Sequence, residues 1–555
     1  MQLNPMHLKI SVLLTGRLFR IPEYQRAYAW GKRQRTDFFN DVLDVKRSGR
    51  DHFMATVVTL ARDTRLIGAD EFRTVEIVDG QQRVTTIVIL LKAIEKSLDT
   101  REMKEEKVRR EIAELLVKDD DHSLVLLQTN HDSSSVFTDY IRKGEINASE
   151  AKTAADQNVV DAARECEAFV QRWSEARSAI ELVATIRNQL SVIYHEIPDE
   201  ATVYRVFEVL NSRGLDVKWI DKLKSQLMAL LFEHLEGGVR VEAVREMQVI
   251  WQDIYRDLGL RGNLGDEALR FAGTLALLSR PNRIIGQEDA AAELARAAGT
   301  QLQSIAAVGS KLKAVVRAVN ALDENVRLRA VTKIVHARFV AAAILLRKFE
   351  PEIERQLLAR WERVTFRIFG LGGADTRHKV GDYVRLGYSI GTGNIAPEAI
   401  DSGLVALGKD WGIEDVIAGP DYWSNCYEGW AEELRYLLFR YDEHLSAAAG
   451  TPMNITEWNK IWIHDPARSV EHIQPQSSEA SYVHHLGNLT MLPPKVNSSL
   501  QDRPPIEKAA VYRACGLIAT RAVGEAIEGG KAWDEGAIRE RASRIEAFVR
   551  QEWAD

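Results

Sequence analysis

Cysteine is scarce: Cys166, Cys426 and Cys515 are the only three in 555 residues, and no pair of them has C-x-x-C spacing. This argues against both a disulfide framework and a structural zinc site, and fits a reducing compartment. Long apolar runs are also missing. The longest, Val84 to Leu91, is bracketed by Arg83 and Lys92 and falls far short of the roughly 20 residues of a membrane span, so no membrane association is expected. The opening MQLNPMHLKI lacks a basic region followed by an apolar stretch and a small-residue cleavage site, and the expected location is the cytoplasm. Nor is there an excess of positive charge. A formal net charge of −7 gives no global attraction to nucleic acid, so any such binding must come from local basic patches. No repeat of fixed period and no low-complexity block stands out.

The chain does have enough length for two or three cores. With 45% hydrophobic and 28% charged residues, it reads as ordinary globular protein. FMATVVTL (Phe53 to Leu60) and TVEIV (Thr74 to Val78) are rich in β-branched residues and flank a polar connection with Gly68, which predicts a strand hairpin. Val84, Ile87, Val88, Leu91 and Ile94 then recur at helical spacing, so Asp79-Gly80-Gln81-Gln82-Arg83 sits at a strand-to-helix turn. Helical spacing continues to about Ile400. After the helix Glu432 to Tyr441 come short strands, clustered histidines and prolines at 475, 493, 494, 504 and 505. The expected fold is α+β and predominantly helical, with domains at 1–235, 236–430 and 431–555.

Ser469 to Pro475 (SVEHIQP) reads as a strand ending at proline, and Leu486 to Leu492 (LGNLTML) as a second, with Pro493-Pro-Lys-Val-Asn497 opening a helix. This order can serve a one-metal phosphodiesterase, with His472 taking a proton from water and oxygen ligands holding a hard divalent ion. Neighbouring strand residues face opposite ways, so Glu471 and His472 share a site only if the strand end twists or bulges. Read one by one, His472 is equally a packed strand histidine and Gly487-Asn488 a plain turn. His484 and His485 stand close to the second strand, where loop solvation and phosphate or metal binding are both open.

At the first turn, a helix N-terminus presents backbone N–H groups to an anion. Gly80 permits close approach, Gln81 and Gln82 bring amides, Arg83 can clamp phosphate, and Asp79 can hold magnesium. A helix cap at Asp79 and a surface pair at Arg83 account for the residues as well. Upstream, residues 17–35 carry six basic residues against Glu23, interleaved with Tyr24, Tyr28 and Trp30. There Tyr24, Gln25 and Arg26 can grip a DNA backbone and base, or simply pack the segment onto the sheet. Asn211-Ser-Arg-Gly214 reads as a glycine-capped helix end, followed by a helix that bears Asp221 and Lys224.

IPEYQRAYAW, VDGQQRVTT and VFEVLNSRGLDVKWIDKLKS, followed by EHIQP, GNLTML with Asn488 sixteen residues after His472, then Asn497 and Lys508, resemble GmrSD-type modification-dependent restriction enzymes. The resemblance implies a ParB-like N-terminal domain and a C-terminal ββα-metal (HNH) nuclease domain, and it includes defence nucleases that sense phosphorothioate DNA. It implies His472 as general base, Asn488 as the asparagine that fixes the loop and orients the histidine, and Glu471 and Asn497 as ligands of Mg or Mn. It also implies hydrolysis of GTP or another NTP at Asp79 to Arg83, with Lys224 reaching the nucleotide. The expected function is anti-phage cleavage of modified DNA coupled to that hydrolysis. The alternative is a nucleotide-switched DNA-binding sensor with an inactive HNH domain, and RNA as substrate ranks last. Self-association into a homo-oligomer is left open.

Overall fold

A computed structural model describes residues 6–554 apart from 23, 24, 26, 49–50, 119–124, 130–135, 198–217, 260, 262, 331–333, 394, 464 and 479. The chain divides into two compact units: residues 1–277 with 285–320, and residues 278–284 with 321–555. Both are mostly helical, and the first holds a mixed sheet. No helix among the described residues is long and apolar enough to cross a membrane.

In unit 1 the strands are β1 (Met6–Lys9), β2 (Arg17–Arg20), β3 (His52–Ile67), β4 (Asp70–Asp79), β5 (Leu127–Gln128) and β6 (Leu190–Ile197). They lie in the order β1-β6-β3-β4-β2-β5. The hairpin expected from the β-branched runs is the antiparallel pair β3 and β4. It is longer than those runs because its tip, beyond the apolar core segments, continues as solvent-exposed strand. Gly68 turns the tip at φ 60, a conformation that costs glycine little.

After β4 the helical spacing becomes α1 (Gln81–Ser97), buried on nearly all sides from Gln81 to Glu95. Such a helix forms the centre of a core rather than its surface. Lys92 and Glu95 are buried there as an ion pair. Around the sheet and α1 pack further helices, and α2 (Ala154–Ser174) begins with a capping box in which Thr153 and Asp156 exchange hydrogen bonds. Ahead of β3, a helix at Lys32–Ser48, here called αN, lies against α2. α3 (Trp219–His234) buries Ile220, Leu223, Leu227 and Leu231 at helical spacing.

Unit 2 is built on α4 (Pro351–Thr365), α5 (Ala431–Ala448) and α6 (Glu535–Glu552), with the Arg440 guanidinium buried between the carboxylates of Glu362 and Glu552. β7 (Val470–His472) and β8 (Leu489–Met491) pair antiparallel, and the helix Pro494–Leu500 follows, giving a ββα unit. The second strand is shorter than its sequence suggests, because residues 486–488 form a 3-10 turn. A Cβ on Gly487 would stand 1.9 Å from the Ile538 carbonyl oxygen of α6, and the Asn488 side chain bonds back to the preceding loop. A small core of Ile473, Leu492, Leu500, Tyr512 and Ile538 lies beneath the hairpin.

Candidate functional site

β7 and β8 pair without a register shift: Val470 faces Met491, Glu471 faces Thr490 and His472 faces Leu489. With no bulge, alternation sends Glu471 and His472 to opposite sides. The Glu471 carboxylate points inward, where Oε1 accepts from Lys508 Nζ at 2.8 Å and Tyr512 OH at 2.6 Å. Burial pushes this carboxyl above its ordinary range, against the pull of Lys508 and Tyr512. Lys508 Nζ also donates to the His472 carbonyl at 2.8 Å, so one ammonium fixes both the side chain of Glu471 and the backbone of His472.

His472 faces the other way, into an aromatic and imidazole cluster. Its Nε2 lies 3.0 Å from Nδ1 of His484, and Gln476 Nε2 lies 3.0 Å from its Nδ1. Gln476 Nε2 also lies 3.3 Å from His472 Nε2, so the donor and acceptor roles in this cluster follow the tautomer of each imidazole. The Tyr427 ring meets His472 edge-on at 4.6 Å and stacks on His484 at 5.3 Å. Burial, reinforced by the charges of His484 and Lys508, lowers the His472 pKa to about 3. Its imidazole is therefore neutral near pH 7, the form able to accept a proton.

Asn488 is fully buried and ties the loop between the strands. Its Oδ1 accepts from the Gln474 N–H at 2.8 Å, while its Nδ2 donates to the carbonyls of Gln474 at 3.0 Å and Val483 at 2.8 Å. Asn497 reaches back from the ββα helix and donates to the carbonyls of Arg468 and Val470, both at 3.0 Å. Arg541 of α6 donates from Nη1 to the carbonyls of Gly487 at 3.0 Å and Leu489 at 2.8 Å. Being fully buried, its guanidinium has its pKa lowered to about 10.

The expected metal set is not assembled by this arrangement. Glu471 is paired with Lys508 on the side away from His472, and Asn497 uses its amide N–H groups to hold the entry to β7. Among the described residues, no three His, Cys, Asp or Glu side chains stand close enough together to hold an ion. The side of β7 that carries His472 brings in His484, Tyr427 and Gln476 instead. His484 stood out in sequence as half of a histidine pair and Gln476 follows Pro475 directly. Tyr427, Tyr512 and Arg541 had no local signal.

In unit 1, Gly80 is the N-cap of α1 with φ 91. A Cβ there would meet Val57 Cγ2 at 3.0 Å and the Thr56 carbonyl at 3.1 Å. Gln82 does not present its amide to a ligand. Its Oε1 accepts from the backbone N–H groups of Ala29 at 2.7 Å and Trp30 at 3.3 Å, and its Nε2 donates to the Ala27 carbonyl at 3.1 Å, clasping the preceding segment. Gln81 is buried and its Oε1 has no hydrogen-bond partner among the described residues. Arg83 lies 5.8 Å over the Trp30 ring and pairs with no carboxylate among the described residues. Asp79, at the end of β4, is half-buried.

Gln25 is buried too, donating from Nε2 to the Val78 carbonyl at 2.7 Å, so it anchors the segment rather than facing outward to DNA. Lys224 of α3 is buried with Nζ 3.4 Å from the Gln25 carbonyl and 5.4 Å from the Tyr255 ring centre. The first and third motifs thus meet at the end of β4, beside the α1 turn. The first helical turn itself holds no acidic residue, so its N–H groups and Arg83 favour an anion, with Asp79 just before the cap and the Asp41 carboxylate of αN acting on Arg83. Tyr24, Arg26 and Asn211 to Gly214 lie outside the described residues.

Comparison with known proteins follows the same division. Residues 10–228 match the family described as GmrSD restriction endonuclease, N-terminal domain, and residues 421–547 match GmrSD restriction endonucleases, C-terminal domain. A search of curated proteins finds no match. The first match spans strands β2 to β6 of the sheet, the Gly80 turn and Lys224, and the second spans the ββα unit with His472 and Asn488. Since the two cover well over half of the sequence in the order of its motifs, the chain belongs to the GmrSD restriction endonuclease family.

Proposed function

We propose that the chain is a modification-dependent DNA endonuclease of an anti-phage defence system. In this reading, the ββα unit is an HNH-type domain that breaks a phosphodiester, and the ParB-like unit 1 binds and hydrolyses GTP or another NTP at the Gly80 turn. The observation that carries the cleavage reading is His472 at the end of a strand, turned away from Glu471 toward His484 and Tyr427, with its flanking loop tied by Asn488. As general base, His472 would remove a proton from the attacking water, with Lys508 and Asn488 holding its backbone in place. Dependence on Mg or Mn belongs to the proposal, but no step is assigned to the ion, because Glu471 is held by Lys508.

The nucleotide reading is supported by the N–H groups of the α1 turn, by the buried Gln81 oxygen and by the Arg83 guanidinium, neither of which has a hydrogen-bond or carboxylate partner among the described residues. Plasmid nicking on plain and modified DNA, with Mg or Mn and with or without GTP, tests the whole. His472→Ala should lower cleavage by about 10²–10⁴-fold and leave nucleotide hydrolysis intact. Arg83→Ala should slow hydrolysis. Equal cleavage by the His472 variant would refute the base assignment, and wild-type hydrolysis by the Arg83 variant would refute the clamp.

One observation favours a second reading, a nucleotide-switched DNA-binding sensor with an inactive HNH domain: the Glu471 carboxylate is locked to Lys508 and Tyr512. Absence of nicking on every substrate, with DNA binding retained, would select that reading.

A further inference from the structure

Unit 1 contains an open cavity of about 480 Å³ between αN and α2, apart from the Gly80 turn. Its floor is apolar. The Phe39 and Phe169 rings stack at 4.6 Å and 11°, with Trp173 tilted beside them at 6.2 Å. Its rim is cationic, formed by Lys32, Arg172 and Arg177. Arg177 holds its guanidinium 4.8 Å over the Trp173 ring, Arg172 donates to the Ala168 carbonyl at 3.3 Å, and Lys32 acts on Glu165 from a distance, so none of the three cations makes a direct ion pair among the described residues. The one carboxylate in the lining, Glu165, is taken by Arg35 through two hydrogen bonds of 2.8 Å.

An apolar floor under unpaired cations selects a ligand with a flat apolar body and an anionic group. The volume falls within the range of small-ligand pockets and exceeds what a single phosphate ion needs. We infer that this cavity binds a nucleoside phosphate, with the base toward Phe169 and Trp173 and the phosphate among Lys32, Arg172 and Arg177. A free nucleotide and a nucleotide everted from a DNA strand share this chemistry. The wall of the cavity also leads to the Gly80 turn: Arg35, which grips Glu165, donates to the Trp30 carbonyl, and the Trp30 N–H is held by Gln82. Occupancy would thus press on the segment clasped by the DGQQR motif.

The test is calorimetric titration of the full chain with GTP, with a DNA duplex carrying one unpaired guanine, and with the fully paired duplex as reference. Ala168 and Ala176 are exposed residues of the lining, so Ala168→Trp and Ala176→Trp each fill the cavity without entering the core. Arg172→Glu with Arg177→Glu reverses the rim. All three variants should weaken at least one of the two test ligands tenfold or more, while Arg83→Ala leaves this binding event in place. Weakening for GTP alone assigns a free nucleotide, weakening for the unpaired-guanine duplex alone assigns an everted one, and weakening for both shows that the cavity takes either. Wild-type affinity in both tryptophan variants overturns the inference, even if charge reversal weakens DNA, since the cations would then act only as a surface patch.

Discussion

The Gly80 turn joins a strand directly to a helix, whereas β7 runs through a long loop into β8 before its helix begins, and the two use their polar residues in opposite ways. In the hairpin the motif bonds to itself and to its core: Glu471 with Lys508 and Tyr512, Asn488 with Gln474 and Val483, Asn497 with the entry to β7. His472 is left to face its own cluster. At the Gly80 turn, Gln82 and Gln25 close the structure, and the Gln81 Oε1 and the Arg83 guanidinium have no hydrogen-bond or carboxylate partner among the described residues. The glycines differ as well. Gly80 is required by its positive φ, whereas Gly487 is required by the close approach of α6. Within a motif, then, some residues hold the site and others present it, and residue type does not tell them apart.

The sharpest way to break this comparison is to remove a holding residue. Lys508→Met would leave the buried Glu471 carboxylate without its cation and should cost roughly 3–5 kcal/mol, read as a fall in denaturation midpoint. Adding Glu471→Gln should restore most of the loss. A single variant as stable as wild type would show that the ion pair holds nothing. Asn488→Ala removes the partners of the Gln474 N–H and of two carbonyls, at about 1–3 kcal/mol for each buried group left unpaired. Cleavage should fall with stability, and normal cleavage in a folded variant would detach the loop from His472.

Smaller effects separate the two glycines. Gly487→Ala must displace α6 and should cost about 1–3 kcal/mol through overpacking. Gly80→Ala should cost about 1–2 kcal/mol through its left-handed backbone. The first should impair cleavage and the second nucleotide hydrolysis. The reverse pattern in enzyme assays would exchange the roles given to the two turns.

Much of the local structure was legible in sequence. The β-branched runs gave the β3–β4 hairpin, the period after Asp79 gave α1, and the prolines after Met491 marked the ββα helix. The face of Glu471 was not legible, because it depends on a short strand without a bulge and on Lys508 and Tyr512, which a later helix brings underneath. The backbone bonds of Gln82 were hidden for a related reason. An amide suits a phosphate as well as a backbone, and only the folded position of residues 27–30 decides between them. The Phe39 and Phe169 cavity escaped notice because its rim is drawn from two helices distant in sequence.

Asn488 bonds to both the N–H and the carbonyl of Gln474, so a single side chain staples shut the loop that leaves β7. The exposed residues just after Gln476 can therefore change in composition without tugging on the strand that carries His472, whereas Tyr482 packs on the core beneath the hairpin. Those exposed residues are a natural place for relatives to diverge, and a tolerant graft point for anyone seeking to retarget the enzyme.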